Sequence, residues 1–71
     1  MSISALIFGK DSCPYTIAAR EDFERRGVAF EYVNVTASTA DLDRMLVFSG
    51  GRRRVPVIVE GGKVTIGFGG T

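Results

Sequence analysis

The sequence predicts an α/β layer domain with a four-stranded mixed sheet in the order β-α-β-α-β-β, and three observations carry that prediction. A short apolar run near the N-terminus leads through a loop into a helical pattern, which marks a strand–loop–helix unit. A second strand pattern follows that helix, and two strands joined this way favour a parallel, right-handed crossover. Later, two strand patterns separated by Gly61-Gly62 read as a hairpin that adds an antiparallel edge.

Each element has its own signal. Residues 3–8 form the first apolar strand, and residues 9–12 read as a loop. Pro14 suits a first helical position, where its missing N–H is no loss. Residues 14–26 then read as a helix, with Ala19 and Phe23 one turn apart and Gly27 as its stop. Residues 28–35 carry aromatic and β-branched side chains in partial alternation and read as the second strand. Ser38 or Thr39 is placed to cap the next helix, with Asp41 and Asp43 expected in its first turn. Leu42, Met45 and Leu46 form its apolar stripe, and Gly50-Gly51 ends it. Residues 55–59 and 63–66 are the hairpin strands.

Composition narrows the chemistry. Residues 1–71 read as one domain without repeats or linkers, close to the size at which a single core suffices. There is one cysteine and no histidine, so an internal disulfide, a Cys–His metal site and a histidine-based catalytic triad are all excluded. A net charge of +1 gives no general reason to expect nucleic acid or membrane as partner. No secretory leader is expected from the first residues, and a free thiol fits a reducing, cytoplasmic setting.

That single cysteine, Cys13, stands where the first strand turns into the first helix. A thiol at a helix start faces unpaired backbone N–H groups and the positive end of the helix dipole. Both favour the thiolate, which is the nucleophile. Lys10, three residues earlier, adds positive charge. Thr16 stands one turn along, either as a neutral occupant or as a hydroxyl donor to the thiolate. Tyr15 is expected beside the thiol as an aromatic wall. Arg52-Arg53-Arg54 is the strongest local charge feature; a guanidinium fork suits a carboxylate, and three cations are too few to argue for nucleic acid.

The run Phe8-Gly9-Lys10-Asp11-Ser12-Cys13-Pro14-Tyr15-Thr16 resembles the active-site segment of the glutaredoxins, where a lysine precedes a Cys-Pro-Tyr-Cys motif at the same spacing. Arg53-Arg54-Val55-Pro56 resembles that family's Arg-Thr-Val-Pro element, and Gly67-Phe68-Gly69-Gly70 falls where the family has a glycine-rich turn. The resemblance covers the element order of essentially the whole chain. It implies a thioredoxin/glutaredoxin-like fold and glutathione as co-substrate, with no metal. Cys13 would be catalytic and Lys10 would stabilise its thiolate, with Thr16, from its own hydroxyl and not from the resemblance, as the second candidate for that role. Lys10, Tyr15, Arg53, Arg54, Val55, Pro56 and Gly67 would bind glutathione, with Pro56 in the cis form and the Val55 backbone turned to the ligand.

The sequence also departs from the family. Thr16 replaces the second cysteine, which closes the two-cysteine route and leaves a monothiol cycle on glutathionylated or disulfide-containing protein substrates. Arg54 replaces a threonine, and the family's final helix is missing. Without that helix one sheet face is expected to be apolar and less covered, which leads either to a homodimer across it or to low stability of the isolated chain. Gly67-Phe68 also resembles a segment of the glutaredoxin-like hydrogen donors of ribonucleotide reductase, which draw on thioredoxin reductase. Other readings of the same residues are a dimeric [2Fe–2S] carrier using glutathione thiolates, a redox-sensing binding module without turnover, and a relative that has lost activity.

Overall fold

In the computed structural model, which describes residues 3–68, the chain runs β1 (Ala5–Gly9), α1 (Pro14–Arg25), β2 (Phe30–Asn34), α2 (Thr39–Ser49), β3 (Val57–Glu60) and β4 (Lys63–Ile66). The sheet order is β2-β1-β3-β4, with β1 parallel to β2 and antiparallel to β3, and β3 antiparallel to β4. The expected element order and the mixed sheet are both present.

Strand β1 is an inner strand covered on both faces, which is why its sequence is a continuous apolar run rather than an alternation. Ala5 and Ile7 pack towards α1 with Ala19, Phe23 and Ile58. Phe8 packs on the other face with Val33, Val35, Val57 and Met45 of α2. The one-turn spacing of Ala19 and Phe23 thus becomes the buried stripe of α1. Phe23 also meets Phe30 edge-on, with ring centroids 5.8 Å apart.

The turns follow their residues. Helix α1 ends at Arg25 with Arg26 as C-cap, one residue short of expectation. Gly50 closes α2 in the left-handed region at φ 70°, and the Gly51 N–H donates to the Leu46 carbonyl at 2.9 Å. Gly61 and Gly62 both have positive φ, 57° and 83°, as a two-residue hairpin turn demands.

Other details differ from expectation. Ser38 occupies the N-cap of α2, but its side chain makes no capping bond. Of the two aspartates only Asp41 lies in the first turn, where it pairs with Arg44 at 3.3 Å. Strand β2 starts at Phe30 and β3 at Val57, so Val55 and Pro56 precede the strand instead of opening it. Pro56 has no N–H to give a ladder, and the Val55–Pro56 peptide bond is cis.

The open half of the α1 face is also unlike the expected apolar expanse. Ile58 is opposite Thr65, and Glu60 is opposite Lys63, so these side chains share one face. Ile58 is only 5% exposed, and Phe68 packs against its cluster. Around it the face presents Glu60, Lys63 and Thr65, all exposed. On this face the described residues therefore present polar side chains around Ile58 in place of the expected apolar surface.

Candidate active site

Cys13 is the N-cap of α1, in extended conformation at φ −83° and ψ 118°, with Pro14 next at the start of the helix. Its N–H donates to the Lys10 carbonyl at 3.2 Å, closing the loop into a turn. Its carbonyl accepts the first helical bond, from the Ile17 N–H at 3.1 Å. The thiol is free and partly exposed. As a resting thiol the sulfur closes no capping hydrogen bond. The donors are nevertheless close enough to favour its ionised form. Partial burial pushes the Cys13 thiol up, but the Thr16 N–H, the Thr16 hydroxyl, the Tyr15 N–H and the Lys10 charge outweigh it, and the net direction is down.

Thr16 is fully buried beneath the thiol. Its Oγ1 accepts the Lys10 N–H at 3.4 Å, which leaves the hydroxyl proton free to point at Cys13. Gly9 makes this arrangement possible. A Cβ built on Gly9 would lie 2.4 Å from Thr16 Cγ2 and 2.5 Å from Oγ1, so Thr16 uses the space where any other residue would have a side chain. The buried hydroxyl stands where a donor to the thiolate would have to be.

The segment before β3 forms the opposing wall. Val57 is paired with Phe8, so Pro56 lies across from the start of the Cys13 loop. The Pro56 carbonyl accepts the Gly67 N–H at 2.7 Å, which joins the turn after β4 to the cis peptide. Among the described residues the Val55 N–H and carbonyl have no backbone partner, and both are free to pair with an extended ligand. The Ser49 hydroxyl donates to the Arg52 carbonyl at 2.7 Å and fixes the entry to the arginine run. Arg53, Arg54 and Lys10 are exposed and have no ion pair among the described residues. Tyr15 is 41% exposed. Thus Lys10 and Thr16 are gathered at Cys13, and Gly67 is joined to Val55-Pro56.

Sequence reasoning missed a second cluster beside the thiol. The Asp11 carboxylate accepts the Tyr32 hydroxyl at 2.6 Å through Oδ1 and Asn34 Nδ2 at 3.2 Å through Oδ2. The Arg20 guanidinium stacks over the Tyr32 ring, 4.0 Å from its centroid. Burial first, and then the Asp11 hydrogen bond, push the Tyr32 phenol up to about 12. The signal available was the period of two in the second strand, which places positions 32 and 34 on one face.

The glutaredoxin family profile matches residues 5–65. The chain belongs to the glutaredoxin family. Members of that family are generally thiol–disulfide oxidoreductases, which is the chemistry expected of Cys13 as placed. Solved glutaredoxin structures agree in fold. The Archaeoglobus fulgidus glutaredoxin is 26% identical with a TM-score of 0.80, and the match covers 94% of this chain and 77% of that one. The glutaredoxin-like NrdH-redoxin of Escherichia coli, described as having a thioredoxin-like activity profile, is 26% identical with a TM-score of 0.78, covering 92% and 83%. A buckwheat glutaredoxin solved as its glutathione complex shares the fold at 23% identity and a TM-score of 0.74, covering 90% and 60%. No curated protein matches the sequence significantly.

Proposed function

We propose that this glutaredoxin is a glutathione-dependent oxidoreductase that works through Cys13 alone. The observation that carries this reading is the buried Thr16 hydroxyl at the position of the family's second cysteine, aimed at a thiol already favoured as thiolate. The Cys13 thiolate attacks the glutathione sulfur of a protein–glutathione disulfide. A Cys13–glutathione disulfide forms, and the protein thiolate leaves. A second glutathione thiolate then attacks the glutathione sulfur of that adduct, giving oxidised glutathione and restoring the Cys13 thiolate. One protomer suffices, and the cycle suits a reducing cytosol.

Orientation of the tripeptide supplies the rest. The Val55 backbone pairs with it as a strand would, and Arg53, Arg54 and Lys10 offer unpaired cations to its carboxylates. Gly67, held on the Pro56 carbonyl, and the exposed Tyr15 complete the set of residues for contact with it. That a buckwheat glutaredoxin of the same fold is solved as its glutathione complex supports glutathione as the ligand class.

The test is glutathione-dependent reduction of a glutathionylated peptide by the wild-type chain and by Cys13→Ser. Turnover lost in the variant is expected. Rapid alkylation of Cys13 without any turnover on glutathione would refute the proposal. Turnover that appears only with thioredoxin reductase would place the chain with the NrdH-like proteins instead.

A further inference from the structure

The cluster around Asp11 is not used by that cycle, and it places a carboxylate two residues before the reactive thiol. A free carboxylate there works against the thiolate in two ways. It repels the anion, and it competes for the ammonium of adjacent Lys10, which has no ion pair among the described residues. In the structure both of its oxygens are occupied from β2, by Tyr32 and Asn34, which draws the carboxylate to that side of the loop. Asn34 is itself fixed, its Oδ1 accepting the Thr36 N–H at 2.9 Å and the Thr36 hydroxyl at 2.6 Å. The Tyr32 ring packs on the α1-side core and has Arg20 stacked over it. The carboxylate is therefore gripped by groups that cannot easily follow it if it moves.

We propose that Tyr32 and Asn34 are positioning residues for the thiol: they hold the Asp11 carboxylate on the β2 side of the Cys13 loop, which leaves the Lys10 ammonium to the thiolate and to anionic ligands. The inference extends beyond the proposed function, since it concerns the reactivity of Cys13 towards any electrophile. Lys10 and Asp11 belong to the loop that leads to the thiol, Tyr15 follows it in α1, and Arg20 of α1 lies over the Tyr32 ring of β2. Arg53 and Arg54 come from the segment ahead of β3, on the opposite flank. The phenol keeps its proton throughout the range in which a thiol titrates, so the grip does not itself switch with pH.

The experiment is the rate of Cys13 alkylation by iodoacetamide as a function of pH, which needs no glutathione. It compares wild type, Tyr32→Phe, Asp11→Asn and the double variant. Tyr32→Phe keeps the ring, its packing and the Arg20 contact but releases Oδ1. Its profile moves to higher pH, with a rate at neutral pH about threefold lower, as expected for a carboxylate brought near an exposed thiolate. Adding Asp11→Asn to Tyr32→Phe removes the charge and returns the neutral-pH rate to wild type or above. A wild-type profile for Tyr32→Phe overturns the proposal. So does a double variant as slow as Tyr32→Phe, because a purely structural clamp is not rescued by removing the group it held.

Discussion

Replacing Thr16 by valine tests the centre of the site with little change in shape. Thr16 has no exposed surface, and valine fills nearly the same volume, so no cavity opens. Two interactions go. The one from the Lys10 N–H is long at 3.4 Å, and its loss costs about 0.5–1 kcal/mol of stability. The one to the Cys13 thiolate joins a charged partner, worth about 1.5–3 kcal/mol net when shielded. Water reaches the partly exposed sulfur and replaces part of it, so the lower end applies. That corresponds to about tenfold less thiolate at neutral pH. The assay is the pH–rate profile of iodoacetamide alkylation. Thr16→Val shifts the profile to higher pH while its alkaline plateau holds, since a more basic thiolate is no weaker a nucleophile. Thr16→Ser, which keeps the hydroxyl, restores most of the neutral-pH rate. A Thr16→Val profile that overlays wild type refutes the donor role. A drop of equal size at every pH refutes it too, because that outcome reports a distorted site.

Other expectations follow from the same geometry. Gly9→Ala forces a Cβ into Thr16, and overpacking of this kind costs about 1–3 kcal/mol, or roughly 5–20 °C in Tm for a chain this small; an unchanged calorimetric Tm would show that Thr16 moves aside freely. The Tyr32 phenol is raised from 10.0 to about 12 in the fold, so its contribution is fully present below pH 10 and is lost as the pH climbs towards 12. Discounted for partial exposure it amounts to about 1 kcal/mol, and urea unfolding should show a steeper alkaline decline for wild type than for Tyr32→Phe. Arg53→Ala should raise the KM for glutathione about tenfold with little change in kcat, as loss of a carboxylate contact made equally in ground and transition states. A fall in kcat at constant KM would contradict that role.

The fold was legible because its signals are local. Pro14, Gly27, Gly50 and Gly61-Gly62 punctuate the chain, and the apolar run of β1 announces an inner strand. The thiol was legible for the same reason, since a strand–loop–helix junction names its own N-cap. What escaped depends on contacts between distant positions. Asp11 meets residues 21 and 23 positions away, and that pairing needs the parallel register of β1 and β2 before it can be seen. The expected apolar sheet face failed on the same account. Its polarity follows from Thr65 and Lys63 sharing a face with Ile58 and Glu60, which only the hairpin register decides. Gly9 read as the first residue of a loop, yet it closes β1 and gives up its side-chain space to Thr16.

Helix α1 begins on a titratable sulfur, because Cys13 is its N-cap. While the sulfur is an anion, the Tyr15 and Thr16 N–H groups and the positive end of the helix have a counter-charge. In any mixed disulfide that sulfur is neutral, and those same groups face a weak acceptor. The helix is thus better terminated in the reduced protein than in the covalent adduct. Breaking the adduct restores the missing anion, so the fold itself makes Cys13 a good leaving group. On the proposed one-cysteine cycle, a secondary-structure terminus would act as a restoring force that favours release of the covalent adduct.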